Sequence, residues 1–406
     1  MMLFTDKKYI SLVALCFTIA GCVGVGPAKY AKIDVSEKEQ RLVASKPDYL
    51  RADYQKLFAE GARNQVLNLM RIGKSAFDHG DLRSAADAFD SAIMQVESVY
   101  GDSQSAAKAR SLWYEEGSKE FKGEPYERSM LYYYRGLIYL AEEDFENARA
   151  SFLNAIMQDA FAEEEQNRSD FGSQLFLVGW AAQKMGSPVL AKQAFNELKT
   201  IAPGFTPPPT AHDVLIIAES GTAPRKLADG VGHHQLVYRR GKKIVDNQVE
   251  FVEVDGDKLD LGTNEDIYWQ ASSRGGRHID RIIDGKVSFK RTTEDLGSAL
   301  SGLGTSAIYL AAPLDNSAGI GAGIALVGVG MMAISANSKV RADTRYWDNI
   351  PNLLHFATTS SNNLNINGAE FSYLNKKGAQ THSQRPNIVA TGKKHTLIWS
   401  NGESHE

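Results

Sequence analysis

Residues 69–92 read LMRIGKSAFDHGDLRSAADAFDSA, residues 132–155 read YYYRGLIYLAEEDFENARASFLNA, and residues 175–198 read LFLVGWAAQKMGSPVLAKQAFNEL. The three stretches share one template. Its first copy is Leu69, Ile72, Gly73, Ala76, Gly80, Ala85, Phe89 and Ala92, at offsets of 3, 1, 3, 4, 5, 4 and 3. The second is Tyr132, Arg135, Gly136, Tyr139, Glu143, Ala148, Phe152 and Ala155, and the third is Leu175, Val178, Gly179, Ala182, Gly186, Ala191, Phe195 and Leu198. Steps of three and four mark helix faces. The step of five spans Gly80-Asp81, Glu143-Asp144 and Gly186-Ser187, residues suited to a tight turn. Each copy therefore predicts two antiparallel helices. Gly73, Gly136 and Gly179 on the first should let the second approach at Ala85, Ala148 and Ala191, with Phe89, Phe152 and Phe195 filling the space between neighbouring units.

These units resemble tetratricopeptide repeats, with Pro203 closing the third. Equivalent glycines lie 63 and then 43 residues apart, against ~34 in a continuous array, so other material interrupts the series. The resemblance implies an α-solenoid whose ligands bind a concave groove lined by the first helices. Carried onto this chain, the groove positions are Met70, Lys74, Phe77, Tyr133, Leu137, Leu140, Phe176, Trp180 and Gln183. An apolar and aromatic strip with one lysine suits peptide recognition. The alternative is that interrupting segments fill the groove and turn the same residues into core.

Two segments outside the template stand out: Phe121-Lys-Gly-Glu-Pro-Tyr-Glu-Arg128, preceded by Ser111-Leu-Trp-Tyr114, and Glu219-Ser-Gly-Thr-Ala-Pro-Arg-Lys226. Both are similar to stretches in a poorly characterised family of repeat-bearing outer-membrane lipoproteins of Gram-negative bacteria. Glu124, Glu127 and Arg128 have the types of an acid, a base and an oxyanion clamp, but read rather as capping and pairing groups at a helix start, where carboxylates favour the dipole.

At the amino end, Lys7-Lys8, an apolar run from Tyr9 to Ala20 and then Gly21-Cys22 have the form of a secretion signal. Ile19-Ala20-Gly21-Cys22 resembles a bacterial lipobox, which implies cleavage after residue 21 and acylation of Cys22, palmitate included. A signal peptide cut elsewhere or a membrane helix is the alternative. Val23 in place of Asp favours the outer membrane, with the protein facing the periplasm. Cys16 would leave with the signal and the Cys22 sulfur would carry lipid, so no thiol remains for a disulfide, a metal or nucleophilic catalysis.

After Pro203 the composition shifts. Pro207-Pro208-Pro209 reads as a stiff linker, and strand candidates follow at 213–218, 235–238, 249–254, 267–269 and 286–290, then at 354–357, 365–367, 370–373 and 395–399. One sheet assembled from both sets is the expectation. Between them, residues 296–338 carry one charge, Asp315, and read as a glycine-rich apolar helical hairpin. It either packs inside the protein or serves membrane contact or self-association.

The chain has 406 residues, 43% apolar and 23% charged, with a net charge of −4. That composition describes folded protein and offers no electrostatic footprint for nucleic acid. Gly328-Val-Gly330-Met-Met-Ala333 lacks the context of a dinucleotide site; Asp255, Asp257 and Asp260 lack the glycine of a calcium loop; His233-His234 lacks a third ligand. No catalytic residue, cofactor or metal is assigned.

The expected fold is α+β: an amino-terminal α-solenoid of TPR-like hairpins, then a small β-rich domain carrying the glycine-rich apolar hairpin. The expected division is signal 1–21, anchor and tether 22–59, repeats 60–205, β-rich domain 206–293 and 341–406, and apolar hairpin 294–340. The function read from this is a non-enzymatic, lipid-anchored periplasmic scaffold that binds envelope proteins through its repeats in cell-envelope assembly or maintenance. The alternative is an oligomeric structural subunit of an envelope or export complex that self-associates through 296–338. A cell-wall enzyme comes third.

Overall fold

The computed structural model describes residues 32–100, 120–160, 171–229, 235–241, 249–254, 259, 261–272, 343–375 and 377–402. The expectations for the signal, Cys22, His233-His234, Asp255, Asp257 and Asp260, the strand at 286–290 and the apolar hairpin fall outside them. The supposed tether is helical from Glu37: α1 (Glu37–Ala44) begins on a Ser36–Glu39 capping box, and α2 (Asp48–Glu60) buries Leu50 in the core.

The three template copies form three helical hairpins: α3 (Gln65–Asp78) with α4 (Leu82–Tyr100), α5 (Pro125–Ala141) with α6 (Phe145–Ala160), and α7 (Gly172–Lys184) with α8 (Pro188–Ile201). Neighbours pack in sequence, α4 on α5 and α6 on α7. One turn joins each pair of arms. Asp81, Asp144 and Ser187 donate their backbone N–H to Ala76, Tyr139 and Ala182 at 2.9, 2.9 and 3.0 Å, while Gly80, Glu143 and Gly186 donate to Phe77, Leu140 and Gln183. This is the Schellman arrangement, which requires a left-handed residue. Gly80, Glu143 and Gly186 have φ of 70°, 58° and 79°.

The glycines act differently from the expectation. Each faces the phenylalanine of its own hairpin rather than the paired alanine: a Cβ on Gly73, Gly136 or Gly179 would lie 2.3, 2.4 or 2.3 Å from a ring carbon of Phe89, Phe152 or Phe195. The ring occupies the space the missing side chain leaves. Phe89 also stacks on Tyr134 of the next hairpin at 5.8 Å, so the same ring links neighbours as well.

Among the described residues, strands from both candidate sets build one eight-stranded sheet. Its members in chain order are β1 (Val214–Ser220), β4 (Val249–Val254), β5 (Leu261–Asp266), β6 (Leu353–Thr359), β7 (Phe371–Asn375), β8 (Gln380–Gln384), β9 (Ile388–Thr391) and β10 (Thr396–Ser400). The spatial order is β8-β7-β4-β5-β6-β1-β10-β9, and β2 (Arg225–Asp229) pairs with β3 (Gln235–Arg239) as a separate ribbon. Central β1 runs parallel to β10 and antiparallel to β6, and is buried throughout. The sheet curls until Tyr373 on β7 hydrogen-bonds Ser400 on β10 at 2.7 Å, enclosing a small core of Val214, Ile216, Ala218, Val254, Leu261, Phe371 and Ile398.

Two expected strands are not strands. Residues 267–269 open helix α9 (Ile267–Ser272), because Asp266 accepts the Trp269 N–H at 3.2 Å and caps it, and residues 366–368 form a 3₁₀ turn.

The described residues from Val35 onward fall in one compact unit. The face of β1 and β10 carrying Leu215, Ile217, Leu397 and Trp399 packs directly on α3, α5 and α7 in a single core, so the helical and β-rich stretches are layers of one body rather than separate domains.

Gly136→Ala tests the glycine–ring contact. Helix propensity alone would stabilise by ~1 kcal/mol, but the Phe152 ring must move. Chemical denaturation should show a net loss of about 1–3 kcal/mol, largely recovered in the double variant with Phe152→Leu.

Candidate functional site

The concave strip expected to receive a partner is mostly occupied by the chain's own sheet. Met70, Phe77, Tyr133, Leu137, Leu140 and Trp180 have no solvent exposure, and Lys74 is 3% exposed. Phe77 packs edge-on to Trp399 at 4.7 Å, and Trp180 donates its indole N–H to His395 Nδ1 at 3.4 Å. These seven positions are therefore core, covered by the sheet and not, as the alternative reading had it, by the interrupting segments. A strip this apolar is covered by whatever apolar face is tethered nearest, and the β1–β10 face is on the same chain. Phe176 and Gln183, both on α7, remain half-buried.

Under the strip lies a charged cluster. Glu219, fully buried on β1, accepts hydrogen bonds from the Tyr134 hydroxyl at 3.0 Å and the Trp399 indole at 3.2 Å, with the Tyr133 hydroxyl at 3.5 Å. Lys74 Nζ stands 3.5 Å from it and also bonds Asp78 one helical turn on. Burial pushes the Glu219 carboxyl up to about 7 against the pull of Lys74. The Tyr133 and Tyr134 hydroxyls are driven well above the ordinary range by burial and by Glu219.

A second cluster joins the two signature segments noted in the sequence. Glu124 and Glu127 form the capping box of α5, with Pro125 at its first position, as their spacing suggested. The structure adds their partner: Lys226 Nζ reaches Glu124 at 2.8 Å, and Glu127 accepts the Trp347 N–H at 2.7 Å. Burial raises the Glu127 carboxyl. Lys226 is lowered by burial, but Glu124, Glu127 and Asp343 outweigh that and leave it raised. Charged groups at this depth stay ionised only when so matched.

The hairpin turns engage the sheet unequally. A Cβ on Gly80 would sit 3.2 Å from the Asn387 carbonyl. Glu143 accepts the Lys394 and His395 N–H groups at 2.6 and 3.1 Å, which explains why a non-glycine residue holds the left-handed position, and these backbone bonds hold its carboxyl below the usual range. At Gly186 a Cβ would meet nothing within 4 Å. The third hairpin is the open one.

Two clefts lie there, on either side of the Pro207-Pro208 linker. One, of about 490 Å³, is walled by Phe176, Leu198, Phe205 and Phe356 and includes Ser173 and Glu265; the other, of about 380 Å³, includes Gln183, Lys192 and Phe195.

Ser220 Oγ and His355 Nε2 lie 2.9 Å apart, but both are fully buried and bond within the sheet. His395 is kept neutral by burial, its pKa down to about 3. Among the described residues no group of three metal-ligating side chains occurs, and no helix is long and apolar enough to cross a membrane. No protein-family model, curated protein or solved structure matches this chain.

The Glu219 shift has a definite sign. Its folded pKa exceeds the ordinary 4.5, so between about 4.5 and 7 the unfolded chain releases a proton that the folded protein keeps. Stability should fall by roughly 3 kcal/mol as pH rises through that window, then level off. In Glu219→Gln, urea denaturation at pH 5 and pH 8 should show that slope removed.

Proposed function

We propose that this protein is a lipid-anchored scaffold of the outer membrane, facing the periplasm, whose TPR-like hairpins hold an envelope protein at the open third hairpin. The observation that carries the reading is the division of the groove. Seven of its nine positions are core, whereas Phe176 and Gln183 line clefts beside a turn at whose Gly186 a Cβ would meet nothing within 4 Å. Partner surfaces favour such exposed apolar concavities with a few polar groups.

The TPR-like assignment is supported by the recurrence of one glycine–ring contact and one turn in all three hairpins. A non-catalytic role is supported by where the buried charges point. Glu219 bridges helices to the sheet and Lys226 bridges α5 to the β2–β3 ribbon, rather than converging on a cleft. The anchor rests on the lipobox-like Ile19-Ala20-Gly21-Cys22. Two acyl signals on one residue would suffice for stable attachment.

A photo-crosslinking residue at Gln183 in living cells should capture a different envelope protein, while the same residue at Trp180 should give only intramolecular adducts. Adducts of Gln183 solely with second copies of the chain would transfer the assignment to the oligomeric subunit. Separately, Cys22→Ala should move the protein from the membrane to the soluble fraction on centrifugation; retention in the membrane would remove the lipid anchor from the reading.

A further inference from the structure

The β2–β3 ribbon has one face turned inward and one turned out. Lys226 and Tyr238, opposite one another in the register, are 4% and 7% exposed. The pairs on either side of them therefore face away from the body. Arg225 stands opposite Arg239, and Leu227, 38% exposed, stands opposite Val237. Cross-strand neighbours of like charge repel. Among the described residues neither arginine meets a carboxylate: Arg225 Nε donates to the Arg240 carbonyl at 3.1 Å, and Arg239 donates to the Tyr238 carbonyl at 3.3 Å. Asp229 lies at the other end of the ribbon, two residue pairs beyond Leu227.

Arg240 continues the positive row to α9, which packs beside β3. Its guanidinium pairs with Asp266 at 2.5 Å and lies over the Tyr268 ring at 4.6 Å; the next residue, Trp269, is 48% exposed. An exposed leucine and an exposed indole with arginines between them suit one kind of partner. A stable protein interface gathers apolar groups at a dry centre and keeps charge to the rim. Here the two are interleaved. At a bilayer surface both chemistries occur at one depth, phosphates beside the first methylenes of the acyl chains, and indole rings and arginine stems bridge them. The chain as a whole carries a net charge of −4, so an anionic surface is attracted only where positive charge is gathered in this way.

We propose that the outer face of the β2–β3 ribbon, with Trp269 at its edge, docks on the anionic surface of a phospholipid bilayer. Arg225 and Arg239 bind lipid phosphates, which relieves their mutual repulsion, while Leu227 and Trp269 enter the interfacial layer. The contact is reversible and weakened by salt, and it orients a chain already held at the membrane. It rests on the anchored reading only for that proximity.

The test uses the purified full chain carrying Cys22→Ala, so that no acyl group contributes. Vesicles of equal parts phosphatidylglycerol and phosphatidylcholine, the latter brominated on its acyl chains, are titrated in while tryptophan emission is followed. Subtracting the same titration of a Trp269→Phe chain isolates the Trp269 signal. That signal should shift to the blue and be quenched, and brominated phosphatidylcholine alone should quench it far less. The double variant Arg225→Gln, Arg239→Gln should bind roughly thirtyfold more weakly, and Arg225→Lys, Arg239→Lys should stay within about threefold of the parent. The glutamine variant should keep or raise the thermal midpoint, because a repulsive pair is removed; a fall would mark the arginines as structural. Every chain shares the same amino-terminal residues, so the differences report the ribbon. No quenching of Trp269, equal quenching without phosphatidylglycerol, or undiminished binding by the glutamine variant would each overturn the proposal. So would arginine-dependent binding of soluble polyglutamate without vesicle binding, which would give this face to an acidic protein. Vesicle binding, together with retention of Cys22→Ala in salt-washed cell membranes, would remove the anchor and leave the ribbon's role standing. Release of that variant without Trp269 quenching would do the reverse.

Discussion

A carboxylate placed at the centre of an apolar interface dictates much of this molecule. Glu219 is wholly buried where β1 meets α3 and α5, and it is tolerable there only because Lys74, Tyr134 and Trp399 converge on it from both layers. Lys74 belongs to the first hairpin, Tyr134 to the second and Trp399 to the last strand of the sheet. Removing any one leaves the others with buried polar atoms to satisfy. The cluster therefore ties the register of sheet on helices to a single arrangement, which an apolar interface alone would leave less defined. The Glu124–Lys226 contact repeats the device near the start of α5.

The sheet engages the turns of the three hairpins unequally. The first turn touches the start of β9, the second holds the segment leading into β10 through Glu143, and at the third a Cβ on Gly186 would meet nothing within 4 Å. The proline linker that leads from α8 to β1 crosses the third hairpin and leaves space on both its sides. The same crossing that builds the sheet thus creates the concavities.

The hairpins were legible because helical period, glycine and turn residue recur at fixed offsets, and no tertiary fact is needed to see that. Strands β1, β4, β6, β7 and β10 were legible through their β-branched and aromatic residues. Strand β5, Leu-Gly-Thr-Asn-Glu-Asp, was not: it is a strand because β4 and β6 flank it. Polar β8 and short β9 lie at the sheet edges, where sequence demands are weakest. Ile267-Tyr-Trp looked like strand by composition and became helix through one cap at Asp266. The groove was ambiguous in principle, since an apolar face looks the same whether a partner or the chain itself covers it. Ser173 and Glu265 carried no signal at all, being brought together across 92 positions by the sheet.

The pairing of β1 with β10 has a consequence for how the chain reaches this state. Val214 stands beside Thr396, 182 positions later, and those two strands together cover the helical face. The hairpins can form from local contacts as soon as they are made, but their shared apolar surface stays uncovered until β10 has emerged. Long-range parallel pairing is slow to find, and exposed apolar surface during that interval invites aggregation. Folding of this protein is thus gated by its last strand, and a chain arrested before residue 396 would present to chaperones the very surface that the finished molecule conceals.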